Sequence, residues 1–184
     1  MLIVNLFGAP GAGKSTGAAY IFSRLKMAGV NAELVTEFAK DKVWEGSTEA
    51  FRNQAYLFGE QYFRISRLQN KVDVVVTDSP ILLSGYYQED PALGEEFDAC
   101  VSKVFNSYSS MNVFIDRVKP YNEAGRRHTE AESNQIAHEL TAFLDHHNIA
   151  CDHYVGDMQG YDQIVDAVLL RITSLAPKLT IGKA

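Results

Sequence analysis

The sequence predicts an α/β fold, a three-layer sandwich in which helices cover both faces of a five-stranded, mostly parallel sheet. Short apolar runs of strand length alternate along the 184 residues with segments whose apolar residues recur every three or four positions, as in amphipathic helices. The strand segments are almost continuously apolar, which is typical of parallel strands buried on both faces. Such alternation implies right-handed crossovers within one domain, predicted to span residues 1–176, with a tail over 177–184.

Five strands are predicted from the short apolar runs. They cover residues 2–7, 32–36, 72–77, 111–116 and 151–155. The third contains three consecutive valines, which fits a strand in the interior of the sheet. The order of these strands along the chain, each followed by a helical segment, favours parallel pairing throughout most of the sheet.

The helices are predicted from apolar periodicity and from end signals. They cover about residues 14–28, 48–71, 91–108, 129 onward and 161–175. Gly29 closes the first helix, and Thr129 with Glu132 has the spacing of a capping box at the start of the fourth. The apolar face predicted for the long second helix consists of Phe51, Ala55, Phe58, Tyr62 and Ile65.

Composition limits the classes of function. The net charge of -6 argues against a general polyanion binder, although a local basic cleft remains compatible with it. Cys100 and Cys151 lack C-x-x-C spacing and are expected to be buried, reduced thiols. Because no apolar run approaches about 18 residues and no signal peptide is recognisable, no membrane association is predicted. We expect a cytoplasmic protein, in the host cytoplasm if the source is viral.

The segment GAPGAGKST, residues 8–16, carries the pattern G-x-x-x-x-G-K-S between the first strand and the first helix. Its glycines let the backbone pass close to a phosphate, and the N–H groups of residues 12–16 are expected to point inward at the helix N-terminus. Lys14 is predicted to reach the β- and γ-phosphates and the Ser15 hydroxyl to ligate Mg²⁺. The predicted nucleoside-triphosphate site consists of Gly8, Ala9, Pro10, Gly11, Ala12, Gly13, Lys14, Ser15 and Thr16.

Asp78 ends the third predicted strand, in the segment DVVVTDSP. Motor and AAA-type ATPases carry an acidic pair there, and Asp78 is followed by Ser79 instead of Glu, so the usual water-activating group is missing. A guanine-recognition motif is missing too. Asp78 is predicted to hold Mg²⁺ through water or to accept a proton from an attacking hydroxyl. A capping aspartate in a turn is the structural alternative.

A basic segment follows the fourth predicted strand and is predicted to form a lid over about residues 117–130. Arg117, Lys119, Arg126 and Arg127 fall within eleven residues, among a Pro, an Asn and a Gly that permit a mobile loop. Cations on a closing loop stabilise the charge of a phosphoryl transition state and exclude water. We assign Arg117 to the nucleotide and Arg126 and Arg127 to catalysis. A solvated basic loop, balanced by the acidic start of the next helix, is the alternative.

The acceptor is expected at the carboxyl edge of the sheet, where open α/β folds bind ligands. Glu37 and Phe38 follow the second strand in the segment TEFAK and are predicted to contact it. Gln54 and Gln61, seven residues apart on the long helix, form either internal hydrogen bonds or contacts to a base edge. Arg52 is a candidate contact to a substrate phosphate, although solvated helix faces also carry arginines.

Together GAPGAGKST, TEFAK, the glutamine-bearing helix, VVVTDSP and RVKPYNEAGRRHT resemble the small P-loop kinases grouped with the nicotinamide-riboside kinase domain of bacterial NAD salvage. They resemble still more closely the compact phage versions, among them kinases that phosphorylate 5-hydroxymethyluracil in DNA. The resemblance covers about residues 1–175. It implies ATP, Mg²⁺ and phosphate transfer to a hydroxyl of a nucleoside-like acceptor. It also implies Asp78 as base, Ser15 and Asp78 at the metal, Lys14 at ATP, and Arg126 and Arg127 in the lid.

The sharpest hypothesis is therefore a kinase that phosphorylates the hydroxymethyl group of hydroxymethyluracil in phage DNA. A kinase of a free nucleoside or nucleotide is the alternative within the same class. Outside that class, a P-loop ATPase or switch that binds a protein partner is the alternative. The missing Glu after Asp78 and the basic lid favour a kinase over the ATPase or switch.

Overall fold

The structure is a computed structural model that describes residues 1–47, 49–122 and 129–175. These residues form five strands: β1 Leu2–Phe7, β2 Ala32–Val35, β3 Val74–Thr77, β4 Ser109–Asp116 and β5 Asp152–Val155. Their α-helices are α1 Lys14–Met27, α2 Phe38–Trp44, α3 Gln54–Ser66, α4 Leu83–Tyr86, α5 Gly94–Asn106, α6 Glu130–His146 and α7 Met158–Leu175. A 3-10 helix, Glu49–Arg52, separates α2 from α3.

The strands form a single sheet in the order β2-β3-β1-β4-β5. Every neighbouring pair is parallel, so the predicted α/β fold class is confirmed and the sheet is parallel throughout. The central strand β1 pairs Leu2 with Val74 on one side and with Ser109 on the other. All five predicted strands are found, with ends that differ from the predicted ones by at most two residues.

Two apolar layers enclose the sheet, one on each face. Successive β1 residues alternate between them, because side chains along a strand point to opposite faces. Val4 and Leu6 pack with α1 and α7, whereas Ile3 and Phe7 pack with α5 and α6. All six residues of β1 are buried, which explains why its sequence is continuously apolar apart from Asn5.

The parallel arrangement places the carboxyl end of every strand at one edge of the sheet. The segments that leave this edge contain the functional candidates, because loops at this edge bind ligands in open α/β folds. The residues that follow the five strands are Gly8, Thr36, Asp78, Arg117 and Gly156. The sheet therefore places the glycine-rich loop, Glu37 after β2 and Asp78 after β3 in neighbouring positions.

The predicted long helix over residues 48–71 is wrong in its bounds and in its buried face. The Asn53 side chain accepts a hydrogen bond from the Tyr56 N–H and caps α3, so the helical path restarts at Gln54. The buried residues of α3 are Gln54, Leu57, Gln61 and Ile65. Tyr62, predicted to face the core, is exposed and stacks on Phe58. Helix α2, which no periodicity indicated, occupies the preceding segment.

Two further predictions can be compared with the described residues. Cys100 and Cys151 are free thiols as expected, but Cys100 is exposed, because it lies beside the buried stripe of α5 that Phe97, Val101 and Phe105 form. Among the described residues, none of the helices has the length and hydropathy needed to cross a bilayer. The predicted tail over residues 177–184 lies outside the described part of the chain.

Candidate active site

The loop between β1 and α1 has a backbone that requires glycine at its ends. Gly8 and Gly13 have φ angles of 137° and 103°, which L side chains rarely adopt. A Cβ on Gly8 would lie 2.8 Å from the Ile115 carbonyl oxygen of β4. On Gly13 it would collide with the Tyr161 hydroxyl. The glycines predicted from phosphate binding are thus also required by close packing of the loop against β4 and α7.

The loop opens onto the N-terminus of α1, which has the features of an anion site. Gly13 caps this helix without a side chain, and the first turn contains no acidic residue. The first N–H groups of an α-helix have no acceptor within the helix, and the helix dipole favours an anion there. The Ala12 N–H does not contribute as predicted, because it donates to the Ala9 carbonyl at 3.2 Å. Ser15 and Thr16 are exposed in this first turn.

Lys14 is folded back onto the loop. Its ammonium donates to the carbonyl oxygens of Gly8 at 2.7 Å and Ala9 at 3.1 Å. Charged phosphate oxygens are stronger acceptors than neutral carbonyls. A bound triphosphate is therefore expected to draw the ammonium of Lys14 away from these two carbonyls.

Two buried hydroxyls hold the same loop from outside the motif. Ser133 of α6 donates from Oγ to the Pro10 carbonyl at 2.7 Å, and Tyr161 of α7 donates to the Gly13 carbonyl at 3.0 Å. The exposed fractions of Ser133 and Tyr161 are 0% and 2%. Neither residue was found by sequence reasoning, because a lone Ser or Tyr on an amphipathic helix carries no recognisable signal.

Asp78 and Glu37 are linked across the edge of the sheet. Asp78 is 5% exposed, and its Oδ1 accepts a hydrogen bond from the Glu37 N–H at 3.1 Å. Burial raises the pKa of the Glu37 carboxyl, and the nearby charge of Asp78 adds to this effect, while the Lys14 ammonium opposes it. The site thus contains two neighbouring carboxyl groups, one of which binds its proton more tightly than an exposed glutamate.

A cavity of about 280 Å³ brings the start of α1 and the two acids together. Its lining residues are Ser15, Ala18, Ala19, Leu34, Thr36, Glu37, Lys40, Asp41, Trp44 and Asp78. Three of them are carboxylates and one is a lysine, so the cavity is acidic. Trp44 of α2 forms an apolar wall of the cavity. This residue is 77% exposed to solvent.

The oxygen donors at this cavity fit Mg²⁺. The Ser15 hydroxyl and the Asp78 carboxylate line the same space. Mg²⁺ prefers oxygen ligands and is commonly held by one or two carboxylates together with substrate phosphates. Within the described ranges, no group of three or more His, Cys, Asp or Glu residues is arranged to hold a metal ion. The donor set therefore suits a Mg²⁺ that arrives with a triphosphate.

Gln61 uses its side chain inside the fold. Its Oε1 accepts from the Phe38 N–H at 3.0 Å, and its Nε2 donates to the Ser79 carbonyl at 3.1 Å and to Thr77 Oγ1 at 3.5 Å. The residue is 4% exposed. Of the two alternatives for this glutamine, internal bonding is the one the structure displays, and it ties the start of α2 to the end of β3.

Gln54, Phe38 and Arg52 were predicted to contact the acceptor, and none of them lines the cavity. Gln54 is buried and donates to the Phe51 carbonyl at 3.4 Å. The Phe38 ring is buried at the start of α2, with the Arg64 guanidinium 4.8 Å from its centroid. Arg52 is exposed on the 3-10 helix.

Arg117 lies at the end of β4 and holds the start of α6. Its guanidinium donates to the Asn134 side chain, forms an ion pair with Glu130 at 3.2 Å and lies 5.0 Å from the centroid of the Tyr121 ring. Its side chain is 14% exposed. Arg117 thus joins the two ends of the predicted lid. Arg126 and Arg127 lie outside the described residues, and their roles stay predictions.

An all-parallel sheet with this glycine-rich loop at the carboxyl end of its central strand defines a P-loop nucleotide-binding fold. The family can be stated more closely. Residues 3–159 match the model of the AAA domain family, and the chain belongs to that family. The acidic pair that AAA-type ATPases carry is absent here, since Asp78 is followed by Ser79.

The structure resembles the crystal structure of the NadR protein in complex with NR, with a TM-score of 0.68 and 18% sequence identity. The match covers 90% of this chain and 50% of the NadR chain, so this chain spans half the length of NadR. At that identity the likeness shows the fold alone. No curated protein sequence matches this chain.

Proposed function

We propose that the protein is an ATP- and Mg²⁺-dependent kinase that transfers the γ-phosphate to a hydroxyl of a nucleoside-like acceptor. The observation that carries the proposal is the cavity beside the glycine-rich loop, where Ser15, Glu37 and Asp78 meet. A kinase needs a donor site, a proton acceptor and room for a small molecule within reach of one another. This cavity provides all three at the carboxyl edge of the sheet.

On the donor side, the N-terminus of α1 and the Lys14 ammonium would bind the β- and γ-phosphates. The Ser15 hydroxyl would ligate Mg²⁺ and Asp78 would hold it through water, and the ion would neutralise charge on the phosphate oxygens. The open first turn of α1, without an acidic residue, supports this assignment because it leaves no carboxylate to repel the phosphates.

Asp78 is the proposed proton acceptor. Its Oδ1 accepts a hydrogen bond from the Glu37 N–H, which restrains the carboxylate, and its Oδ2 would accept the proton of the incoming hydroxyl. The acceptor oxygen would then attack the γ-phosphorus while its proton passes to Asp78 and ADP leaves. Glu37, whose pKa is raised chiefly by burial, is the second carboxyl within the cavity and would orient the acceptor.

The acidity of the cavity favours an acceptor without phosphate groups. Glu37, Asp41 and Asp78 line it against one lysine, Lys40, and like charges repel a phosphorylated or polymeric acceptor. The net charge of -6 points the same way. We therefore propose a free nucleoside-like molecule. NadR, which shares the fold, was crystallised in complex with NR. Hydroxymethyluracil in DNA stays the competing prediction.

The second candidate function is a P-loop ATPase or switch that binds a protein partner, and membership of the AAA domain family favours it. One experiment separates the candidates. The protein is incubated with Mg²⁺ and ATP labelled at the γ-phosphate, and then with nucleosides, nucleotides or hydroxymethyluracil-containing DNA in separate arms. Label in a nucleoside supports the proposal, and label in DNA moves the acceptor to the polymer. Label only as inorganic phosphate in every arm would reject the kinase.

A further inference from the structure

We propose that Ser133 and Tyr161 are positioning residues that aim two backbone N–H groups of the glycine-rich loop, those of Gly11 and Lys14, at the triphosphate. The inference rests on the proposed nucleotide site, but it concerns binding of phosphate and not its transfer. It assigns a role to two residues outside the motif that come from helices on opposite faces of the sheet, α6 and α7.

The first step is the identity of the carbonyls that the two hydroxyls hold. Ser133 Oγ donates to the Pro10 carbonyl at 2.7 Å, and the Tyr161 hydroxyl donates to the Gly13 carbonyl at 3.0 Å. Both donors are buried, so both carbonyls are drawn toward the protein interior. Each bond joins the loop to a residue more than 100 positions away in sequence, so neither is a by-product of local turn geometry.

The planar peptide bond couples the direction of each carbonyl to that of the next N–H group. A trans peptide unit is planar, and its C=O and N–H point in opposite directions. The structure has no cis peptide bonds among the described residues. Drawing the Pro10 carbonyl inward therefore turns the Gly11 N–H outward. The Gly13 carbonyl also accepts from the Gly17 N–H of α1 at 2.8 Å, so the Tyr161 hydroxyl is a second donor that helps to hold this carbonyl inward and the Lys14 N–H outward. Ser133 thus sets the direction of one phosphate-binding donor, and Tyr161 reinforces that of the other.

Neither hydroxyl can move easily. The Tyr161 ring packs directly against Gly13 and Gly17 and lies 6.1 Å from the Tyr20 ring. Burial raises the pKa of the Tyr161 phenol, so the group remains a proton donor at neutral pH. Ser133 lies in the first turn of α6, which a capping box of Thr129 and Glu132 fixes. Donors fixed before the ligand arrives need no reorganisation on binding.

The experiment measures the two N–H groups separately. Wild-type protein, Ser133→Ala and Tyr161→Phe, labelled with ¹⁵N, are titrated with Mg²⁺ and inorganic tripolyphosphate while amide shifts are followed by NMR. In the wild type we expect downfield amide shifts at Gly11 and Lys14. Ser133→Ala should diminish the shift at Gly11, and Tyr161→Phe the shift at Lys14. Each variant should weaken the tripolyphosphate Kd by about three- to tenfold, the effect of one hydrogen bond.

Control variants test for a merely structural role. Tyr20→Phe removes a hydroxyl that bonds Asp162 at 2.8 Å at the same α1–α7 interface, and Ser102→Ala removes one that lies 3.2 Å from a His147 ring nitrogen. Both should leave the Kd and the two amide shifts unchanged. Ser133→Cys, which keeps a weaker donor at the same position, should give an intermediate Kd.

The inference would be overturned if both variants changed the amide shifts of Gly11 and Lys14 equally. It would also be overturned if Ser133→Ala and Tyr161→Phe left the Kd unchanged. Wild-type protein that does not bind tripolyphosphate would overturn it together with the proposed function. Wild-type protein that binds tripolyphosphate but transfers no phosphate from ATP would remove the kinase alone and leave the positioning roles of Ser133 and Tyr161 standing.

Discussion

The two sides of the cavity are built differently. On the donor side, the glycine-rich loop is held by buried hydroxyls from α6 and α7 and packs directly against β4. On the acceptor side, the wall is the seven-residue helix α2, which ends in the exposed Trp44 and is tied to β3 through Gln61. Under the proposed function, triphosphate binding would be fixed by the backbone, whereas the choice of acceptor would depend on a few side chains of one short helix.

The largest effect is expected where the two sides meet, at Asp78. Asp78→Asn removes the proposed proton acceptor while it keeps a side chain of the same size, so transfer should fall by about 10²–10⁴-fold. ATP should still bind, because the loop and α1 are unchanged. Single-turnover transfer from labelled ATP measures the loss, and equilibrium dialysis measures the binding.

Asp41→Asn is the matched control for this change. Asp41 lines the same cavity, but its carboxylate is paired with Arg64 at 2.6 Å. We expect less than a tenfold change in transfer. Comparable losses in Asp78→Asn and Asp41→Asn would mean that the acidity of the cavity matters and that Asp78 has no separate role in proton transfer.

The next effect concerns the tie between α2 and β3. Gln61→Leu leaves the Phe38 N–H and the Ser79 carbonyl without their buried partner, which should lower the free energy of unfolding by about 1–3 kcal/mol. It should also raise the KM for the acceptor and leave the KM for ATP unchanged. Gln54→Leu, at a buried glutamine with one long bond at 3.4 Å, should have the smaller effect on stability. Equal effects of the two changes would contradict the role assigned to Gln61.

Two glycines within helices test the tightness of the donor side. A Cβ on Gly17 of α1 would lie 2.5 Å from the Tyr161 ring, whereas a Cβ on Gly59 of α3 would meet nothing within 4 Å. Gly17→Ala should destabilise the protein by about 1–2 kcal/mol, the cost of overpacking less the gain in helix propensity. Gly59→Ala should stabilise it by about 0.5–1 kcal/mol. Thermal unfolding checks both, and a stabilising Gly17→Ala would show that Tyr161 is loosely packed.

The smallest effect concerns Glu37 and depends on pH. Its pKa is raised above 4.5 in the folded protein, chiefly by burial, so the folded state binds this proton more tightly than the unfolded chain. Its contribution to stability therefore falls as pH rises above 4.5 and becomes constant above the raised pKa. Glu37→Gln should stabilise the protein at pH 7 and have no such effect at pH 4. An equal change in Tm at both pH values would argue against a buried Glu37 carboxyl.

The donor side could be predicted from the sequence almost residue by residue. The strand β1 is buried on both faces and therefore reads as an apolar run, and the glycines and Lys14 stand at fixed offsets because the backbone geometry demands them. What could not be predicted is the support from Ser133 and Tyr161, because it depends on contacts between segments more than 100 residues apart.

The acceptor side was predicted less well for physical reasons. Helix α2 buries only Phe38, so it has no apolar stripe from which a periodic pattern could be recognised. The Asn53 cap divides the predicted long helix, because a side chain that bonds the backbone competes with continued helix. Glu37 and Asp78 were expected at this edge and are found in one cavity, whereas the internal bonds of Gln61 depend on how α2 packs.

The position of β1 has a consequence for how the protein is assembled. This strand is first in sequence but central in the sheet. Its two edges pair only with β3 and β4, which come later in the chain. Pairing between distant segments makes folding slow, and an unpaired apolar strand promotes aggregation. The glycine-rich loop, although complete within the first sixteen residues, reaches its final shape only when α7 has docked. ATP should therefore bind only the folded protein, and this binding should stabilise newly made chains against unfolding once they have folded.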